Sequence, residues 1–379
     1  MINPFKFGKE VSGYQFYDRE EDAKSLRRKL IDGSTNVVLY APRRYGKTSL
    51  VLKVLEQLSV SDGIKGMCFD LTRVPTVERF CEEYANSVYA LFGGRKELVH
   101  KFMDYLSHLH PVFSVTGEVK FDYGTRMSAT SISEVMDLPE RLSHDLGDIP
   151  IAIAFDEFQE VADISREFPL EKIFRSCIQA HRNVRYVFLG SKTHLVKRMF
   201  GDATRPFYNA ALPMPLKKPP MDASLDFLLT RFRDSGLSIA SEVAGEILAV
   251  SENIPYYIQA IAAMTFERVA GSDRKVVESG DVEAAAAEFV EINSELYEER
   301  LAGLSDAKRA IIEALAKEPV GRFTDEYRTR HALPVTSTLH TALAELTDAG
   351  LVEKTESAIR VSDPFFTRYI LKSAAAVFA

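Results

Sequence analysis

One stretch constrains this chain more than any other. A short apolar run, Asn36-Val37-Val38-Leu39-Tyr40, ends in Ala41-Pro42-Arg43-Arg44-Tyr45-Gly46-Lys47-Thr48. Helical periodicity then begins at Thr48 and runs through Leu50, Val51, Val54 and Leu55. A strand, a tight loop and a helix in immediate succession open a β-α unit. The loop nearly matches the phosphate-binding pattern G-x-x-x-x-G-K-[ST], with Ala41, the smallest alternative, in place of the first glycine. The pattern has a physical basis. A loop between strand and helix can aim successive backbone N–H groups at anionic phosphates, and the helix N-terminus adds its positive dipole end. Gly46 lets the backbone pass close to the phosphates, Lys47 reaches the outer ones, and Thr48 offers a hydroxyl to Mg²⁺. The tripeptide Gly-Lys-Thr alone is a weak signal; its place after an apolar strand and before a helix gives it weight.

A second motif strengthens it. Ile151-Ala152-Ile153-Ala154-Phe155 is unbroken apolar, as a strand buried on both faces should be, and it ends in Asp156-Glu157. Asp156 can hold the water shell of Mg²⁺ beside Thr48, and Glu157 can orient and deprotonate an attacking water. A strand that merely ends in acidic loop residues is the plain alternative, and the phosphate loop upstream decides against it. No Asn-Lys-x-Asp guanine signature occurs; Ser191-Lys192-Thr193-His194, the nearest echo, lacks both amide and carboxylate. ATP is favoured over GTP.

The remaining pattern fills in an architecture. Gly66 to Leu71 and Val184 to Leu189 read as further strands, with helical spacing from Val77 to about Leu91. Strands alternating with helices imply an α/β core, a parallel sheet flanked by helices. Pro111 to Ser128 alternates, which suggests a hairpin turning near Gly117. Leu212 to Pro220 holds four prolines in nine residues and reads as a stiff extended connector. From Ser224 to about Glu291 every segment reads helical. Beyond Leu304 come helices at about 305–317, 324–331 and 336–349, the last with Leu339, Leu343 and Leu346 on one face and Gly350 as its stop. Two short strands, Leu351 to Lys354 and Ala358 to Val361, complete a winged helix-turn-helix. The expected domains are a phosphate-loop core over 1–215, an all-helical lid over 216–298 and a winged helix over 299–379.

Composition narrows the functional classes. The formal net charge of −7 argues against wholesale coating of nucleic acid, though one local basic surface would survive it. No apolar run approaches the ~18 residues of a membrane span, and the first residues lack the apolar core of a secretory signal. Cys68, Cys81 and Cys177 are far apart, the pattern of reduced thiols in the cytoplasm. His108 and His110, two apart without a second pair, do not make a metal site.

Pro42-Arg43-Arg44-Tyr45-Gly46-Lys47-Thr48-Ser49-Leu50, then Phe155-Asp156-Glu157-Phe158-Gln159, then Phe188-Leu189-Gly190-Ser191 together resemble the archaeal-type ATPases. These are AAA+/STAND-type phosphate-loop ATPases of archaea and bacteria, related to origin-recognition ATPases and often ending in a winged helix. The resemblance spans nearly the whole chain and implies an ATPase core, a small helical lid and a winged helix, with ATP and Mg²⁺ as ligands. It also implies roles that spacing alone does not assign. Residues 42–49 would line the nucleotide. Tyr17-Asp18-Arg19-Glu20 resembles the segment beside the adenine, so Asp18 and Arg19 join the nucleotide set; an acidic helix start is the alternative. Ser191 falls where a polar sensor of the terminal phosphate is expected, or where a helix is capped. Asn253-Ile254-Pro255 resembles a Gly-x-Pro motif whose proline touches the nucleotide, with Asn253 in place of glycine; a helix restarted at proline is the alternative. Arg205, in Arg205-Pro206-Phe207-Tyr208, suggests a phosphate or lid contact, or a surface salt bridge. Arg43 and Arg44 either touch phosphate or brace the loop. Arg182 and Arg185 flank the sensor strand where AAA+ assemblies can place an arginine acting on a neighbour's nucleotide, although STAND members usually lack one.

The reading that follows is a slow ATP-hydrolysing molecular switch whose winged helix engages a partner; the alternatives are an ATP-regulated DNA-binding protein with little turnover, or a protein-interaction module. Self-association is compatible with either, and a membrane partner is not expected. Residues 300–379 carry 11 Lys and Arg against 10 Asp and Glu. The exposed positions of the third helix, Ser337, His340, Thr341, Glu345 and Asp348, include no Lys or Arg. Arg322, Arg328, Arg330, Lys354 and Arg360 could hold phosphates without reading sequence. These features put a protein partner ahead of weak, sequence-tolerant DNA binding.

Overall fold

The computed structural model describes residues 2–8, 19–93, 97–113, 118–121, 127–164, 168–355 and 358–377. Tyr17, Asp18 and the hairpin turn at Gly117 lie outside the described residues. The chain divides into two compact units, one of residues 10–217 and the other of residues 1–9 and 218–379.

The first unit is built on five strands, β1 (Val37–Tyr40), β2 (Lys65–Asp70), β5 (Ile151–Asp156), β6 (Val184–Gly190) and β7 (Leu212–Pro215), with the hairpin β3 (Pro111–Phe113) and β4 (Val119–Phe121) outside the sheet. The sheet order is β2-β5-β6-β1-β7. Every pair in it is parallel, with Tyr40 opposite Gly190, Phe155 opposite Phe188 and Asp70 opposite Asp156. Helices α1 (Glu20–Asp32), α2 (Lys47–Ser61), α3 (Val77–Leu91), α4 (Glu97–Tyr105), α5 (Ala129–Asp145), α6 (Val161–Ile164), α7 (Leu170–Ala180) and α8 (Thr193–Gly201) belong to the same unit. All six residues of β5 are buried, as its unbroken apolar run requires. Phe155 stacks on Tyr186 at 6.0 Å, and Phe158 meets Phe188 at 4.6 Å and Phe207 at 5.0 Å. The side chains that end β5 and β6 therefore rise from a close-packed aromatic base.

The connector expectation needs correcting at its start. Leu212–Pro215 is the edge strand β7, paired with β1. The N–H groups of Leu212 and Leu216 bond to the carbonyls of Asn36 and Tyr40. Pro213 and Pro215 fall at alternate positions that face away from β1, where a missing N–H costs the sheet nothing.

In the second unit, α9 (Met221–Asp234), α10 (Ser241–Val250), α11 (Pro255–Ala270), α12 (Ser279–Ile292) and α13 (Ser294–Ala302) form the helical part, interrupted by the two-residue parallel strands β8 (Ser238–Ile239) and β9 (Val276–Val277), which helical periodicity does not reveal. Residues 2–8 belong here too: Phe5 is buried against Phe227 and Phe232, and Phe7 meets Tyr256. The winged helix follows as α14 (Asp306–Lys317), α15 (Asp325–Arg330), α16 (Thr336–Asp348), β10 (Val352–Lys354) and β11 (Ile359–Val361). Val320 bridges to Ile359 as a third wing strand in miniature. Gly350, at φ 71, stops α16 in the left-handed conformation that favours glycine. The buried stripe of α16 is Leu339, Ala342 and Leu346, with Leu343 only half-buried: the small Ala342 is the residue that faces the core. A further helix, α17 (Pro364–Val377), was not expected. Asp363 caps it by accepting from the N–H groups of Phe365 and Phe366, and its Phe365 packs on Tyr257 at 4.9 Å and Phe289 at 4.7 Å.

Candidate functional site

The sheet order assembles the site. The loop after β1 carries Lys47 and Thr48, β5 ends in Asp156 and Glu157, and β6, which lies between them, ends at Gly190 with Ser191 next. All three strands are parallel, so these ends share one edge, where open α/β sheets bind ligands.

The loop is curled by two residues in the left-handed region, Arg44 at φ 71 and Gly46 at φ 84, with Tyr45 buried between them. Such a run of amides makes an anion-binding concavity at the start of α2. Lys47 is 6% exposed, and its Nζ donates to the carbonyls of Ala41 at 2.9 Å and Pro42 at 3.1 Å. Burial pushes this amine below the usual lysine range, with Glu157 and Asp156 pulling the other way. Thr48 Oγ1 donates to Asp156 Oδ2 at 2.6 Å, bridging α2 to β5. Burial raises the Asp156 carboxyl against that bond. Glu157 Oε2 accepts from Ser191 Oγ at 2.6 Å, from Ser191 N at 3.2 Å and from Gln159 Nε2 at 2.5 Å. Burial works to raise the Glu157 carboxyl, but these bonds and Lys47 hold it below its ordinary value. A hydroxyl and a carboxylate oxygen in contact are a hard donor pair that fits Mg²⁺. Among the described residues no group of three or more His, Cys, Asp or Glu gathers as a metal cage, and Mg²⁺ does not need one, because it keeps several waters and takes one or two protein oxygens beside phosphate.

The structure sorts the other expected residues. Pro42 is half-buried, Ser49 is buried, and Arg43 and Arg44 are exposed on the loop. Arg19 is buried and donates from Nη2 to the carbonyl of Tyr45 at 3.2 Å, so it braces the loop from behind; it also pairs with Asp22 at 3.3 Å. Arg205 is paired with the half-buried Glu171, which is the salt-bridge alternative. Arg182 and Arg185 lie at the opposite end of β6 from Ser191, and neither reaches this chain's own phosphate loop. Arg185 instead packs on Gly33 and donates to the Asn183 carbonyl at 3.1 Å. In the second unit, Glu252 and Asn253 occupy successive left-handed positions, φ 48 and 55, and Pro255 is the first residue of α11. Asparagine tolerates that conformation, and Asn253 Nδ2 donates to the Pro219 carbonyl at 2.7 Å. Gln159, three residues past Asp156 in the same motif, joins the site through its bond to Glu157, a partner that the motif alone does not reveal.

Comparison with known proteins agrees with the fold. Over its full span the chain is similar to the Walker-type ATPase of Pyrococcus abyssi, with TM-score 0.71 and 18% identity over 97% of this chain and 99% of that one. The likeness is one of fold: a parallel sheet flanked by helices, followed by further helices and a winged helix. It is also similar to the ORC2 protein of Aeropyrum pernix in its ADPNP-ADP complexes, with TM-score 0.59 and 14% identity over 95% of this chain and 96% of that one. The ORC1 protein of the same organism, in complex with DNA, gives TM-score 0.54 and 15% identity over 98% and 96%. A stretch of 153 residues is 28% identical to an uncharacterised ATP-binding protein of Methanocaldococcus jannaschii; it spans 40% of this chain and 40% of that relative's length. Residues 295–372 match the model of a probable winged helix domain. Among the described residues no helix is long and apolar enough to cross a membrane.

Proposed function

We propose that the chain is a slow, Mg²⁺-dependent ATPase of the AAA+/STAND type, working as a switch. In this reading the core of residues 10–217 holds the nucleotide, and the winged helix of residues 299–379 engages a partner protein. The observation that carries it is the meeting of Lys47, Thr48, Asp156 and Glu157 at one sheet edge, with the 2.6 Å bond from Thr48 to Asp156.

Residues 42–49 take the phosphates through backbone amides, and Lys47 exchanges its two carbonyl partners for phosphate oxygens. Thr48 and Asp156 are the oxygens suited to Mg²⁺, which supplies charge neutralisation on the phosphates when bound. Glu157 orients the attacking water and takes its proton. Ser191 reads the terminal phosphate, and Arg19 fixes the loop.

The pairing of winged-helix arginines with carboxylates favours a protein partner. Arg328 is held by Asp325, Arg330 by Glu318 and Glu326, and Arg360 by Glu353 and Glu252. DNA is the second reading, on the likeness to a DNA-bound ORC1 fold. The test is phosphate release by the purified chain. Release that needs Mg²⁺, stops with a chelator and prefers ATP to GTP is the expected result; a chain that binds no ATP in a fluorescent-nucleotide titration contradicts the proposal.

A further inference from the structure

Gln159 sits in the 3₁₀ turn Phe158–Glu160, directly after Glu157, and its side chain is 3% exposed. Glu157 opens that turn at φ 50, a left-handed position that a non-glycine residue holds only when its surroundings fix it. The amide of Gln159 donates to Glu157 Oε2 at 2.5 Å and to Glu160 Oε1 at 3.2 Å. Ser191 brings two further donors to the same Glu157 oxygen, at 2.6 and 3.2 Å. Gln159 is itself wedged: a Cβ on Gly190 would lie 2.9 Å from its Oε1 and 2.1 Å from Val196 Cγ2. Among the described residues the charged groups acting on Glu157 include Lys47 on α2 and Asp156 on β5, while Glu160, which shares the Gln159 amide, is tied to Lys192 at 3.1 Å. A buried carboxylate pinned at one oxygen by donors from two elements has its other oxygen fixed in direction. A terminal-phosphate sensor must also be able to turn toward its ligand, and a second donor keeps the carboxylate in place when it does.

We infer that Gln159 is a positioning residue for hydrolysis: it holds Oε2 of Glu157 so that Oε1 is presented to the attacking water independently of Ser191. The inference rests on the reading of Glu157 as the water-activating base. In this role Gln159 acts only through Glu157, and a Cβ at Gly190 would crowd its Oε1 at 2.9 Å and Val196 Cγ2 at 2.1 Å.

The test is Gln159→Leu in the full chain, which keeps bulk and removes both donors. It should lower kcat about tenfold to a hundredfold, the size of a small misplacement of a catalytic group. KM and fluorescent-ATP affinity should stay at wild-type values. Added to Glu157→Gln it should cause no further loss, because it acts only through that carboxylate; a merely structural role would lower both backgrounds alike. If Gln159→Leu does not fold, Gln159→Met carries the same measurement. Wild-type kcat in the folded variant, or an equal loss in the Glu157→Gln background, overturns the inference. A Glu157→Gln variant with wild-type turnover defeats the parent reading instead, whereas an inactive Glu157→Gln beside an active Gln159→Leu defeats only this one.

Discussion

The phosphate-loop edge of the core and the winged helix both gather basic residues and carboxylates, but they treat charge in opposite ways. At the sheet edge the charged groups are buried and bonded to neutral dipoles. Lys47 bonds to two carbonyls, Asp156 to a hydroxyl, and Glu157 to a hydroxyl, an amide and a backbone N–H. In the winged helix the cations meet anions directly, as Arg328 with Asp325, Arg330 with Glu318 and Glu326, and Arg360 with Glu353 and Glu252. Charges desolvated and held by dipoles are poised for an ionic ligand, because a phosphate or a metal supplies the missing counter-charge. Charges already paired on a surface have little left to offer a polyanion and contribute modestly to stability.

The comparison breaks most visibly at Lys47. Lys47→Ala should weaken ATP binding about a hundredfold, the scale of losing charge-assisted bonds to phosphate, read by fluorescent-nucleotide titration. Unchanged affinity would mean that the buried amine is a structural group like the winged-helix arginines. Next in size is Gly190→Ala. Its new Cβ would meet Val196 Cγ2 at 2.1 Å, so the variant should lose about 1–3 kcal/mol in denaturant unfolding and turn over more slowly. Arg360→Ala sharpens the contrast from the other side. It should cost about 1 kcal/mol, as expected for a partly exposed ion pair, and leave phosphate release untouched. The smallest effect belongs to DNA. Fluorescence anisotropy with a random duplex at physiological salt should give non-specific affinity no tighter than about 10⁻⁶ M, with Arg322→Ala and Lys354→Ala each changing it only slightly. Nanomolar binding to one defined duplex, lost on deleting residues 300–379, would overturn the view of the winged helix as charge-satisfied.

The difference between the two regions also governs how much the sequence reveals. The strand-loop-helix at residues 37–61 and the apolar strand ending in Asp156 are local patterns, and α3 runs from Val77 to Leu91 as its periodicity indicates. Other features depend on what lies across the fold. Leu212–Pro215 looks like a proline connector until β1 is beside it, because only the pairing shows that its prolines face away. Ala342 takes a core position assigned to Leu343, since the packing against α14 follows the helix's rotation and not residue size. Helix α17 begins at a proline and ends in small residues, a weak local signal, and its packing on Tyr257 and Phe289 is what holds it. Gln159 was visible as a letter in a motif, but its role needs Ser191, 32 residues away in sequence, on the same Glu157 oxygen.

The most direct test of the account is a single-turnover experiment: ATP and Mg²⁺ are pre-bound to wild type and to Glu157→Gln, nucleotide affinity is measured in parallel, and phosphate release is followed in time. The account predicts near-equal affinity, with release by Glu157→Gln slowed about 10²–10⁴-fold, the range of a lost general base. Release at the wild-type rate from a Glu157→Gln chain that binds ATP normally would contradict it.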